Sequence, residues 1–68
     1  MSVNEKIGKK IREFRKKLKM TQDELAEKTE IFKQSQISKI ELGTRIVKHD
    51  ELLMFAEIFK VSVNKFSV

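Results

Sequence analysis

The chain has no cysteine and no proline, and its 68 residues include only two glycines and one histidine. Without cysteine there is neither disulfide stapling nor a Cys-based zinc site. His49, the single histidine, has no partner with which to build a metal site. The lack of cysteine fits an intracellular setting. No apolar run approaches the ~20 residues of a membrane span, and no signal-peptide core is visible, so the expectation is a soluble, cytoplasmic protein. A nucleophile–base pair, a carboxylate dyad and a Gly-rich phosphate loop are equally lacking. Ser38 and Lys39 are neighbours in sequence and therefore point to different faces of a helix. These gaps predict a chain that is not an enzyme and uses no cofactor or metal. Forty per cent hydrophobic residues with no proline also argue against disorder.

What is present is charge, unevenly spread. The formal net charge is +5 and the pI about 9.7, which favours a polyanionic partner without choosing among DNA, RNA and a membrane surface. Residues 1–20 hold eight Lys/Arg against two acids, and residues 21–68 hold seven against eight. The basic excess belongs to the first segment, where it is either a polyanion footprint or a solvated helix face. The length allows one domain, residues 1–68, that buries only ~60% of the surface its unfolded chain exposes.

Apolar positions follow a helical period along most of the chain. Ile7, Ile11, Phe14 and Leu18 form one stripe of an amphipathic first helix, with Asn4 its expected N-cap and a stop near Lys19. Thr21 to Glu24 reads as a capping box, and the two acids there suit the helix dipole. Leu25 and Ala26 face inward, and this second helix fades near Thr29. Residues 30–33 are the expected turn, with Ile31 as the plug into the core and Phe32 either a core residue or an exposed contact. A third helix is predicted from Gln34 to Leu42, carrying Ile37 and Ile40 inward and stopped by Gly43 in the left-handed position. Its outward positions are Gln34, Ser35, Gln36, Ser38 and Lys39, rich in side chains that both donate and accept hydrogen bonds. A loop from Thr44 to Lys48 leads to a fourth helix with Leu52, Leu53, Phe55, Ala56 and Phe59. Ser62 is placed to cap a short fifth helix bringing in Val63 and Phe66. The fold class is all-α, a bundle of five short helices.

Taken in order, Ile7-Gly8, Ile11-Arg12, Phe14-Arg15, Met20-Thr21-Gln22, Glu24-Leu25-Ala26, Ile37 to Gly43, Leu52-Leu53, Ala56 and Val61-Ser62 resemble the lambda-repressor-like (Cro/C1, XRE-type) helix-turn-helix family. The resemblance covers about residues 7–66 and sets the helix-turn-helix at about 21–42. It implies a DNA-binding transcriptional regulator, a repressor by preference, with the helix at 34–42 in the major groove. A preceding helix braces such a reading helix across the backbone. Gln34, first in that helix, would pair with adenine through N6 and N7. Ser35, Gln36, Ser38 and Lys39 lie on or beside the same face and would read bases or phosphates, the plainer alternative being ordinary exposed polar residues. The resemblance gives Gln22 a phosphate contact at the second helix's N-terminus. Arg45 and Lys48, in the loop after the third helix, would add affinity rather than discrimination, unless Lys48 is merely solvated. It also assigns Arg15 and Glu41 to an internal salt bridge. Gly8 reads as packing space and His49 as a helix-start or surface residue.

Several features depart from the family pattern. One extra residue stands between Ala26 and Ser38, within Glu30–Lys33, so the third helix is open to a shift of register. Glu30 stands where the family has a turn glycine, unless the insertion has moved the turn. Lys19 replaces another common glycine, and Val47 a frequent proline. The implied partner is double-stranded DNA with two-fold-related half-sites, bound by a homodimer through the C-terminal helices. Phe55, Phe59, Val61, Val63, Phe66 and Val68 are the apolar residues that would either form that dimer surface or close the monomer core. A second class of function remains open on the same fold: an antitoxin or other protein-interaction module.

Overall fold

The computed structural model describes residues 1–67; Val68, counted above among the apolar C-terminal residues, lies outside them. The described residues form four α-helices, α1 Val3–Lys17, α2 Gln22–Thr29, α3 Gln34–Leu42 and α4 His49–Phe59, then a 3-10 helix at Val63–Phe66, with no strand. The all-α expectation holds. The fifth element is a 3-10 turn capped by Ser62, whose hydroxyl accepts from the Asn64 amide at 3.3 Å.

Helix starts follow the capping chemistry. α1 begins at Ser2 rather than Asn4: the Glu5 amide donates to Ser2 Oγ at 3.1 Å, and the Ser2 amide donates to Glu5 Oε1 at 2.9 Å. A reciprocal box satisfies two orphan amides, which Asn4 has no acid three residues on to match. The Thr21–Glu24 box forms as expected, with bonds of 3.1 and 2.8 Å. In α3 and α4 only the returning half is made, from the Lys33 amide to Gln36 Oε1 at 2.8 Å and from the Lys48 amide to Glu51 Oε1 at 2.9 Å.

Helix ends share one device. A residue of positive φ follows every α-helix: Lys19 at 57°, Glu30 at 63°, Gly43 at 80° and Lys60 at 57°. Only one of the four is glycine, so the other three stops each carry a left-handed L-residue, at roughly 1–2 kcal/mol apiece. After α1, α3 and α4 the freed carbonyls are recovered by paired bonds, for example Lys19 N–H to Lys16 O at 3.0 Å and Met20 N–H to Arg15 O at 3.2 Å, the Schellman pattern. After α2 the buried Thr29 hydroxyl intervenes. It donates to Ala26 O at 2.7 Å and accepts from the Phe32 amide at 3.1 Å.

That Thr29 hinge decides the turn. Glu30 takes the left-handed position, Ile31 swings out to 61% exposure, and Phe32 enters the core at 8%. Ile31 is therefore not the core plug; Phe32 is. The stripe of α1 is also corrected. Ile7 and Ile11 are buried, but the next residue on their line is Arg15, while Leu18 lies past the helix end and is 52% exposed.

Ile11, Leu25, Ile37, Ile40 and Phe55 are the fully buried centre. All five phenylalanines join in one aromatic row from the turn to the C-terminal 3-10 helix. Phe32 stacks on Phe55 (6.0 Å between ring centres), Phe55 on Phe59 (6.1 Å), Phe59 on Phe14 (5.6 Å), and Phe14 meets Phe66 edge-on (5.6 Å). Such pairs each add about 0.5–1.5 kcal/mol beyond area burial. Gly8 is packing space in fact: a Cβ there would overlap the Ile40 carbonyl oxygen, so α1 and α3 touch backbone to backbone.

Candidate nucleic-acid interface

The close α1–α3 contact at Gly8 sets up the site. It brings Arg15, on α1's inner line, against Glu41 on α3. Arg15 Nε and Nη2 reach the two carboxylate oxygens of Glu41 at 2.6 and 3.1 Å, and Arg15 Nη1 donates to the Met20 carbonyl at 2.7 Å. The side chains are 11% and 4% exposed, so this is a buried, two-pronged pair of the kind arginine's planar fork favours.

The pair is the root of a longer chain of bonds. Gln22, the first residue of α2, donates Nε2 to Glu41 Oε1 at 3.1 Å. Gln34, the first residue of α3, donates Nε2 to Gln22 Oε1 at 2.6 Å. Chemistry dictates the direction throughout. An ionised carboxylate only accepts, so Gln22 must turn its amide nitrogen inward and its oxygen outward, and Gln34 must then offer a nitrogen. One N–H and the carbonyl oxygen of Gln34 are left for a ligand. That is the donor–acceptor set complementary to N7 and N6 of adenine.

The other sequence-predicted residues are placed unequally. Gln22, Gln34 and Ser38 converge on the α2–α3 face beside Glu41. Ser35 and Lys39 are exposed on α3. Gln36 is half-buried, and its Oε1 is turned back onto the Lys33 amide, so its carboxamide serves the helix start. Arg45 lies over the Phe32 ring at 4.8 Å and faces Glu51 at 3.7 Å. It props the loop after α3 against the core and keeps a side-chain exposure of 32%. Lys48 is exposed at the N-cap of α4, and His49 opens that helix, also exposed.

Two cations to which the sequence reading gave no contact lie on α1 and at the start of α3. Lys33 is the exposed N-cap residue of α3. Arg12 lies one turn before Arg15 on α1 and borders a recess with Gln22 and Ser38. Its signal was the i, i+3 relation to Arg15, which the implied Arg15–Glu41 pair had already turned toward the third helix. Nearby, hydrogen bonds from the Thr21 amide and then its hydroxyl hold the Glu24 carboxyl below its ordinary value. No group of three or more potential metal ligands occurs among the described residues, and none of their helices is long and apolar enough to cross a membrane.

The apolar C-terminal residues divide between core and surface. Phe55, Phe59 and Phe66 are 0%, 6% and 2% exposed and close the monomer's own core. Val61 and Val63 are half-buried, and Leu53 is 46% exposed.

Comparison with curated proteins and with solved structures returned no match. Comparison with protein families matches residues 8–66 to a helix-turn-helix domain, a span that takes in α2, α3 and all the residues of the Arg15–Glu41–Gln22–Gln34 chain, in keeping with the Cro/C1 resemblance. The chain belongs to the helix-turn-helix domain family, which points to a DNA-binding regulator.

Proposed function

We propose that residues 1–68 act as a single sequence-specific DNA-binding domain and that the protein is a cytoplasmic transcriptional repressor. In this reading the helix-turn-helix is residues 21–42, and α3 lies in the major groove of a two-fold-related operator bound by a homodimer. The observation that carries the reading is the bonded chain from Arg15 to Gln34. It holds an exposed carboxamide at the start of α3 in a fixed orientation, tied to a buried ion pair. An ordinary surface glutamine has no such support, and a reading residue gains from it because less side-chain freedom is lost on binding.

Around Gln34, the exposed Ser35 and Lys39 contact bases or phosphates on either side. Gln22 contacts a phosphate with its second amide N–H. Lys48 and Lys33 add backbone contacts, and Arg45 sets the loop that presents them. A domain of this size makes few base contacts, so two copies on half-sites about one helical turn apart supply the missing specificity. Leu53, with Val61 and Val63, replaces the buried phenylalanines as the apolar surface for that pairing.

The test is selection of bound sites from a random duplex library, repeated with Gln34→Ala. The wild type should enrich a motif with paired half-sites, and Gln34→Ala should lose ~1–3 kcal/mol of discrimination at one adenine per half-site. An unchanged motif for Gln34→Ala would refute the assignment of the reading residue. No retardation of any duplex by the wild type at low salt would refute DNA binding and favour the protein-interaction reading.

A further inference from the structure

Between α1, α2 and α3 lies a recess of about 240 Å³, lined by Arg12, Arg15, Gln22, Ser38, Glu41 and Leu42. Its volume is several times the ~30 Å³ that one water occupies in the liquid, enough for a tetrahedral oxyanion. Its polar groups are unbalanced in one direction. Both oxygens of Glu41 are occupied, by Arg15 and Gln22, so the only carboxylate in the recess is neutralised and bonded. Arg12 makes no hydrogen bond or ion pair among the described residues, and the Ser38 hydroxyl makes none either. Gln22 retains one amide N–H after its bond to Glu41. The recess thus holds a full positive charge and several unused donors, with its one strong acceptor already satisfied.

We infer that this recess is a phosphate-binding subsite, in which Arg12 and the Ser38 hydroxyl hold a backbone phosphate of the DNA that α3 reads. The inference rests on the DNA-binding reading and adds to it a residue of α1, the most basic segment of the chain. Position favours a DNA phosphate over a free one. Gln22 lines the recess and also bonds Gln34, so an anion in the recess sits one side chain from the residue that faces the bases. A phosphate held by Arg12 therefore fixes the depth and tilt of α3, while Gln34 reads. Such a contact is independent of base sequence and raises affinity for all duplexes alike.

The experiment compares Arg12→Gln, Arg12→Lys and Lys65→Gln with the wild type on the selected duplex and on an unrelated one, across a salt series. Lys65 lines a separate concavity with Lys10, Phe14 and Lys17, so its change removes the same charge from a place outside the recess. Arg12 is exposed, so circular dichroism should find all three variants folded. Arg12→Gln should lower the slope of log K against log salt by about 0.9, one phosphate contact, equally on both duplexes. Its deficit against wild type should then shrink roughly threefold between 50 and 200 mM salt. Arg12→Lys should keep the slope, and Lys65→Gln should leave it unchanged. Equal slope changes for Arg12→Gln and Lys65→Gln would mean diffuse charge and overturn the subsite. So would an Arg12→Gln slope equal to that of a salt-sensitive wild type. A wild type that binds no duplex would overturn the DNA reading itself, and the subsite with it.

Discussion

Replacing Glu41 with Leu separates what the buried pair does for stability from what it does for recognition. Arg15 is 11% and Glu41 4% exposed in their side chains, so the single change strands a guanidinium with little water to take over its bonds. Breaking a buried pair this way costs about 3–5 kcal/mol. Domains of this length are stable by roughly 0.05–0.15 kcal/mol per residue, some 3–10 kcal/mol in all. Glu41→Leu should therefore leave the protein marginal or unfolded at 25 °C, read as lost helical signal in a urea titration. The double variant Arg15→Met with Glu41→Leu removes both charges and fills the space with apolar atoms. It should recover to within about 2 kcal/mol of wild type, because replacing a whole buried pair by hydrophobic residues is often neutral. The residual deficit is the Met20 carbonyl, which loses the Arg15 bond, worth about 1 kcal/mol. Yet the double variant, though folded, removes the acceptor to which Gln22 is anchored. Gln34 then loses its fixed orientation, and discrimination at its base should fall while non-specific, salt-dependent binding persists. A cost below about 1 kcal/mol for Glu41→Leu alone would refute the stability argument. Undiminished discrimination by the stable double variant would refute the orientation argument.

The turn and the helix caps make sharper claims about single residues. Phe32→Ala should cost about 3–5 kcal/mol as a buried aromatic truncation, against a change within ±0.5 kcal/mol for the outward Ile31→Ala; equal effects in thermal melts would contradict the turn described here. Hydrogen bonds, chiefly from the Ser2 and Thr21 amides, hold the Glu5 and Glu24 carboxyls below their ordinary 4.5. A depressed folded-state pKa stabilises the fold above the unfolded value and loses that contribution as pH falls through the folded one. The helix starts should accordingly loosen only below pH 4.5, and Thr21→Ala, which removes the hydroxyl but keeps the amide, should raise the Glu24 pKa part of the way back and weaken rather than abolish that acid sensitivity, while costing about 0.5–2 kcal/mol at neutral pH. Carboxyl titration by NMR checks it; a Glu24 pKa unmoved by Thr21→Ala would count against the capping box.

Local chemistry explains what was legible in the residues alone. The inward Ile7, Ile11, Leu25, Ile37 and Ile40, the Thr21–Glu24 box and the Gly43 stop are each written within four residues of chain, because helix faces, caps and stops are made by neighbours at i+3 and i+4. With them came the all-α class, the helix-turn-helix resemblance and the Arg15–Glu41 pair it implied. Tertiary structure decided the rest, where two readings were locally equal. Ile31 and Phe32 are both large and apolar. Only the Thr29 hydroxyl bonded to the Phe32 amide and the waiting ring of Phe55 select Phe32 for the core. The aromatic row likewise claimed Phe55, Phe59 and Phe66, which composition alone offered equally to a dimer. The Gln22–Gln34 bond spans twelve residues and exists because Gly8 lets α1 lie against α3 and bring Glu41 under α2. No periodicity encodes a contact of that kind; it depends on how two helices meet. At Lys19, Glu30 and Lys60 the chain turns through left-handed residues whose side chains disfavour that conformation, and there the packing on both sides of the turn, rather than the residue in it, sets the direction of the chain.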